Sequence, residues 1–339
     1  RGGAAPIPVA LPGGRSIASE GVRFDPISER LVLDLRSWAE PATWWSVRKG
    51  GAGVEAITEA SVNGQRSAEF DVRSLEAVAR DGERIPLTIV SRRDVPTTKH
   101  VWTTAYGSYG IALGPSFTVA RRTFLEFGGT YVVAHVRGGG EKGRAWHDAG
   151  RGPNKMKTVE DFIDCMKYLR NAGFGSGGGV VAIGGSAGGM PVGGLLIRQP
   201  ELVDGVVLDS AIVNVSRLED ASAIGALHAE EIGTSKTPEG AQRLHELDVY
   251  ENVRDGIKYP PTLIMARVND ARVPYWQSDK LVARLLQAGA TSRLRLTGGG
   301  HVAGSTREED ASTDAELVTF ALTHTRPRGH RAASDRGDH

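Results

Sequence analysis

A serine held between glycines is where chemistry in this sequence begins. Gly184-Gly185-Ser186-Ala187-Gly188 follows the apolar run 180–183 and leads into an apolar stretch of helical character over 190–198. This is the G-x-S-x-G spacing, which puts a serine on a sharp strand-to-helix turn with its hydroxyl thrust outward. The glycines are needed because the turn is tight and the helix packs close to the strand. A serine hydroxyl attacks only when a base takes its proton and an acid orients that base. Downstream, Asp270 follows the strand-like run 262–266, and His301 follows the run 293–296 and three glycines. Of the nine histidines, only His301 stands in this position. Ser186, Asp270 and His301 are therefore the candidate catalytic residues. They occur in the chain order that a triad on a parallel sheet uses, each past the carboxyl end of a strand. The transition state also needs donors for its oxyanion. The Ala187 backbone N–H, directly after the nucleophile, is the first expected donor. The second is expected from the loop Tyr106-Gly107-Ser108-Tyr109-Gly110, which follows an earlier strand.

Other chemistries fit less well. Gly173-Phe174-Gly175-Ser176-Gly177-Gly178 has the spacing of a dinucleotide-binding loop. It precedes its strand, however, so no helix N-terminus would face a phosphate there. The 41 Lys and Arg balance 40 Asp and Glu to a net charge of +1, which argues against a nucleic-acid or polybasic membrane binder. No apolar run approaches the length of a transmembrane helix. Cys165 is the only cysteine, which excludes an internal disulfide framework or a multi-cysteine zinc site and favours a reducing, cytoplasmic setting. No metal or other cofactor is expected.

Two patterns of elements must position these residues. Residues 1–95 read as short strands and turns, with strands expected at 30–36, 44–48, 67–72 and 85–90. From about residue 100, strands alternate with glycine turns and helices. Strands are expected at 101–105, 131–136, 180–183, 206–208, 262–266 and 293–296. Helices are expected at 118–127, 158–171, 190–198, 277–288 and 314–323. Strands alternating with helices mean a mostly parallel α/β sheet. The Arg-, Gly- and Asp-rich stretch 326–339 reads as a disordered tail. With 44 glycines and 16 prolines in 339 residues, the chain is otherwise ordinary for a globular protein.

Five ordered motifs together resemble the catalytic domain of the prolyl oligopeptidase family of serine peptidases: Tyr106-Gly107-Ser108-Tyr109, the run from Arg137-Gly138-Gly139-Gly140 to Trp146, the serine elbow, Asp270-Ala271-Arg272-Val273, and Gly300-His301. The resemblance covers roughly residues 80–325. It implies an α/β-hydrolase fold over 81–325, preceded by a β-rich segment over 1–80 similar to the last part of a β-propeller. The full enzymes of this family carry a seven-bladed propeller that admits only short peptides, so the chain looks like the C-terminal part of a longer protein, in keeping with a sequence that does not begin with methionine. Ser186, Asp270 and His301 are implied as the triad, and the Tyr106 hydroxyl as the second oxyanion donor. Arg272 is implied to bind a substrate backbone carbonyl and Tyr109 to contact the substrate. The Arg137–Gly140 run is read as a structural loop.

The implied specificity departs from the family pattern. Where prolyl oligopeptidases stack a tryptophan on the substrate proline, the aligned position is His228, and a nearby tyrosine is replaced by Ile232. Strict proline specificity is not expected. Several motifs are closer to the oligopeptidase B branch, which cleaves after Arg or Lys and uses two glutamates; Glu230 matches one of them and His228 falls on the other. The competing view makes Glu230 and Glu231 a solvated face. The expected function is a serine peptidase acting on short peptides through an acyl-enzyme. The alternatives are an esterase with the same triad or an inactive binding module. Short peptides are the expected partners, with no nucleic acid and no membrane. Oligomeric state and preferred substrate residue stay open.

Overall fold

The structure is a computed structural model that describes residues 8–11, 15–48, 53–57, 70–95, 99–302 and 306–325. The described strands form two sheets. β1 (Ser16–Asp25), β2 (Arg30–Arg36), β3 (Thr43–Val47) and β4 (Val54–Ala56) pair antiparallel in chain order. β5 (Phe70–Val78), β6 (Arg84–Arg92), β7 (His100–Ala105), β8 (Gly129–Ala134), β9 (Gly179–Gly185), β10 (Gly205–Asp209), β11 (Thr262–Arg267) and β12 (Ser292–Thr297) form the larger sheet. Its spatial order is β12-β11-β10-β9-β7-β8-β6-β5. β5, β6 and β8 pair antiparallel; every pairing from β8 across to β12 is parallel.

The helices are α1 (Val119–Glu126), α2 (Arg144–Asp148), α3 (Met156–Asn171), α4 (Gly189–Arg198), α5 (Leu218–Ala221), α6 (Gly225–Ile232), α7 (Pro238–Leu247), α8 (Trp276–Gln287) and α9 (Arg307–His324). Side chains alternate across a strand, so a sheet covered on both faces needs apolar residues at every position. The central strands do this: Val180 and Ala182 join one core cluster with Phe162 of α3, Leu195 of α4 and Leu281 of α8, while Val181 and Ile183 join the other with Phe124 of α1 and Phe320 of α9. Continuous apolar runs were readable as buried strands for this reason.

The expected α/β architecture matches this sheet, and several boundaries move. β5 pairs with β6 along its whole length, so the larger sheet starts at Phe70 and the boundary expected between residues 80 and 81 falls inside a hairpin. The sequence from 67 to 78 has weak alternation because β5 is an edge strand with much of its length exposed; its expected start at 67–69 lies outside the described residues. β1 was not anticipated, because a register shift between Ile17 and Val22 breaks its pattern. α9 begins at Arg307 rather than 314, where Thr306 and Glu309 form a capping box, a signal present in the sequence. α5, α6 and α7 were not anticipated. Thr237 capping α7 with Pro238 at its first turn was the available clue. The expected tail, 326–339, also lies outside the described residues.

The small sheet meets the larger one through the β2–β3 connection. Trp38 lies 5.8 Å from the Tyr131 ring of β8, and Arg122 of α1 donates to the Ala39 carbonyl at 3.0 Å. Its β1–β2 hairpin leaves Val22, Phe24 and Leu31 exposed.

Candidate active site

The loops at the carboxyl ends of β7, β9, β11 and β12 bring the candidate residues together. Ser186 directly follows β9 and opens a single helical turn, Ser186–Gly188, that runs into α4. The local glycines follow from close approach: a Cβ on Gly188 would sit 2.6 Å from the Ala105 carbonyl oxygen, a backbone atom that cannot yield. Ser186 itself has φ +51°, a left-handed conformation that a non-glycine residue adopts only under constraint. Tyr109 (φ +58°) and Ser210 (φ +43°) share it, so three of the four non-glycine residues with positive φ among the described residues come from the loops at this end of the sheet. Strained backbone of this kind collects at functional sites.

His301 bridges the other two candidates. Its Nε2 lies 3.0 Å from Ser186 Oγ, and its Nδ1 lies 2.6 Å from Asp270 Oδ2. The Asp270 side chain is fully buried, and its second oxygen accepts the backbone N–H groups of Arg272 and Val273, each at 2.9 Å. With both carboxylate oxygens engaged, Asp270 can only accept from Nδ1–H. That fixes the tautomer and leaves Nε2 to take the serine proton. Ala187 is buried in the turn directly after Ser186, where backbone N–H groups have no intrahelical acceptor.

Tyr106 stands across from this relay, with its hydroxyl close enough to Ser186 for the two to interact. Burial raises its phenol above the ordinary value, opposed by the nearby Ser186 hydroxyl and the Arg272 charge, while the Glu231 charge adds to the rise. It stays protonated and able to donate. Tyr109 lies beside it, ring centroids 6.5 Å apart, and its hydroxyl is 2.6 Å from His228 Nδ1. His228 Nε2 faces the Arg272 carbonyl at 3.3 Å, so Nε2 carries the hydrogen and Nδ1 accepts from Tyr109. Burial lowers the His228 pKa, the carbonyl opposes that, and the imidazole is neutral at pH 7. The Arg272 residue is exposed, and its backbone is tied to Asp270.

Glu230 departs from the expected arrangement. Its side chain is 67% exposed and pairs with Arg151 at 2.9 Å. Its neighbour Glu231 is not part of a solvated face: it is 4% exposed and holds His147 at 2.7 Å and Lys155 at 3.0 Å. Glu231 and Lys155 were missed because nothing in a Glu-Glu pair or a loop lysine announces which will be buried. The Arg137 guanidinium is gripped by Asp161 and Asp81, in keeping with a structural loop.

The strand order and the Ser–His–Asp geometry define an α/β-hydrolase. The model of the prolyl oligopeptidase family matches residues 115–327, and the chain belongs to that family. It is 31% identical over 305 residues to a dipeptidyl aminopeptidase BI of Pseudoxanthomonas mexicana, covering 86% of this chain and 42% of that protein. A prolyl endopeptidase of Elizabethkingia miricola is 32% identical over 327 residues, with 93% and 45% coverage. Among solved structures, a prolyl endopeptidase superposes with a TM-score of 0.87 at 26% identity, over 94% of this chain and 48% of that one. Oligopeptidase B from Leishmania major gives 0.79 at 26% identity, over 87% and 42%. The chain thus spans less than half the length of the relatives it matches. Among the described residues, no helix is long and apolar enough to cross a membrane.

Proposed function

We propose that the chain carries the catalytic machinery of a serine peptidase that cleaves short peptides through an acyl-enzyme. The observation that carries this reading is His301 placed between Ser186 Oγ and the buried Asp270 carboxylate. His301 takes the proton as Ser186 attacks the peptide carbonyl. Ala187 N–H and the Tyr106 hydroxyl receive the negative charge that develops on its oxygen. Collapse expels the amine, which takes the proton from His301, and water repeats the sequence to release the acid. Asp270 holds the imidazole in the working tautomer throughout. Arg272 stands ready for a substrate backbone carbonyl.

Substrate choice is set by the Tyr109–His228 pair rather than by an aromatic platform or a free carboxylate. Glu230 faces Arg151 and solvent, and both oxygens of Glu231 are taken up by Lys155 and His147. We therefore propose uncharged residues, not Arg or Lys, ahead of the scissile bond.

The test is a panel of fluorogenic peptide amides ending in Pro, Arg, Lys or Ala, with one matched ester, run on this chain and on Ser186→Ala. The variant is expected to lose both turnover and covalent capture by a fluorophosphonate. Labelling that survives would move the nucleophile elsewhere. Ester turnover without amide cleavage would favour the esterase reading, which shares the triad.

A further inference from the structure

Lys155 is among the largest side chains sealed in this protein, and the triad chemistry does not use it. It sits in the turn before α3 with its side chain 2% exposed. A lone buried ammonium is costly, and an apolar side chain of similar volume usually serves stability as well or better. Its contacts are correspondingly specific. Nζ donates to the Gly107 carbonyl at 2.7 Å and to Glu231 Oε1 at 3.0 Å, and the other Glu231 oxygen takes His147 Nε2 at 2.7 Å.

Both partners lead to the oxyanion side of the site. Gly107 directly follows Tyr106 and lies in a loop past the end of β7, outside the sheet's hydrogen-bond ladder. It has φ +64°, and a Cβ there would meet Val136 Cγ2 at 2.6 Å. Its carbonyl is therefore held by side chains, Lys155 first, with the Thr158 hydroxyl 3.3 Å away. Glu231 lies on α6 with His228, and its charge acts on the Tyr106 phenol. A negative charge there, left unbalanced, opposes the charge that develops on the substrate oxygen. Burial lowers the Lys155 pKa to about 8 while Glu231 opposes the shift, so the lysine is mostly charged at pH 7.

We propose that Lys155 is a positioning residue for acyl transfer: its bond to the Gly107 carbonyl holds the loop that aims the Tyr106 hydroxyl toward Ser186, and its charge cancels that of Glu231. This rests on Tyr106 acting as an oxyanion donor.

The test compares Lys155→Met/Glu231→Gln with Lys155→Gln/Glu231→Gln in the intact chain. Both remove the buried charges together, which keeps the fold at less risk than breaking the pair. They differ in whether position 155 can donate a hydrogen bond. The readout is the second-order rate of Ser186 labelling by a fluorophosphonate, which needs no peptide preference. The Met pair is expected to label about tenfold or more slowly, within the range for losing part of an oxyanion donor's effect. The Gln pair is expected to recover to within about threefold of wild type. Adding Tyr106→Phe to the Met pair is expected to cost no more than Tyr106→Phe alone, since both act through one hydroxyl. Equal rates for the folded Met and Gln pairs, or losses that multiply with Tyr106→Phe, overturn the proposal. Tyr106→Phe labelling at the wild-type rate also overturns it, and does so visibly with Lys155 untouched. Labelling without cleavage of any peptide would instead sink the peptidase reading and leave this comparison standing.

Discussion

Tyr106 and Tyr109 lie on the same short loop, yet their hydroxyls have opposite surroundings. Tyr106 lies toward Ser186, while Tyr109 donates its proton to His228. Only the first is free to donate to a substrate oxygen. Tyr106→Phe is therefore expected to lower kcat by about 10²–10³-fold, the typical effect of deleting one oxyanion donor, with KM little changed. Steady-state kinetics on the best amide of the panel check this, and an unchanged kcat would remove Tyr106 from the mechanism. At this scale the meeting of Ser186, His301 and Asp270 was legible from residue type, chain order and position past a strand end. Glu231 was not, because its meaning comes from Lys155 and His147, which lie far away in sequence and reach it only through the fold.

At the scale of elements, α4 owes its closeness to glycine. The Cβ that a larger residue would place at Gly194 runs into the Val159 side chain of α3, and one at Gly193 lies 2.7 Å from Val249 Cγ2. Gly194→Val is expected to overpack this contact and destabilise by about 1–3 kcal/mol or more. Because α4 starts directly after the Ser186–Gly188 turn, activity is expected to fall along with the thermal midpoint. Thermal unfolding read beside labelling checks the pair of effects, and a variant as stable as wild type would show that α3 and α4 have slack. Buried strands and amphipathic helices were readable here, since two covered faces force apolar runs on the sequence. The edge strand β5, the bulged β1 and the short helices α5 and α6 carry no such burden, and their patterns are faint for that reason.

For the molecule as a whole, charge pairs lock the antiparallel end of the sheet to its helices. Arg137 joins Asp161 of α3 to Asp81 in the β5–β6 turn, and Arg80 in the same turn holds Asp164 of α3 at 3.0 Å. The Arg137 guanidinium is the largest cause that holds the Asp81 carboxyl down at about 2, against an ordinary 3.8. A folded-state pKa below the unfolded one adds stability that is present above the ordinary value and lost as pH falls through the folded one. Asp81→Asn is accordingly expected to destabilise at about pH 6 and to lose that penalty as pH drops from about 4 toward 2. Urea midpoints for both proteins across that range test it; a penalty that does not shrink would mean the pairing is not the source. Asp81 is partly exposed, so the effect is modest, and added salt should weaken it. The placement of the first sheet, and where the larger one begins, could not be read from composition, because the two share strand-like sequence and differ only in their partners.

The left-handed backbone at Ser186 has a practical consequence. Such a conformation costs a non-glycine residue about 1–3 kcal/mol, while glycine pays only about 1 kcal/mol in lost chain freedom. Ser186→Gly is expected to melt higher than Ser186→Ala, though both lack the hydroxyl; equal midpoints would mean that the surrounding turn relaxes to absorb the strain. Anyone selecting heat-tolerant versions of this protein without assaying turnover would find position 186 drifting toward glycine, and would harvest the sturdiest molecules among the dead ones.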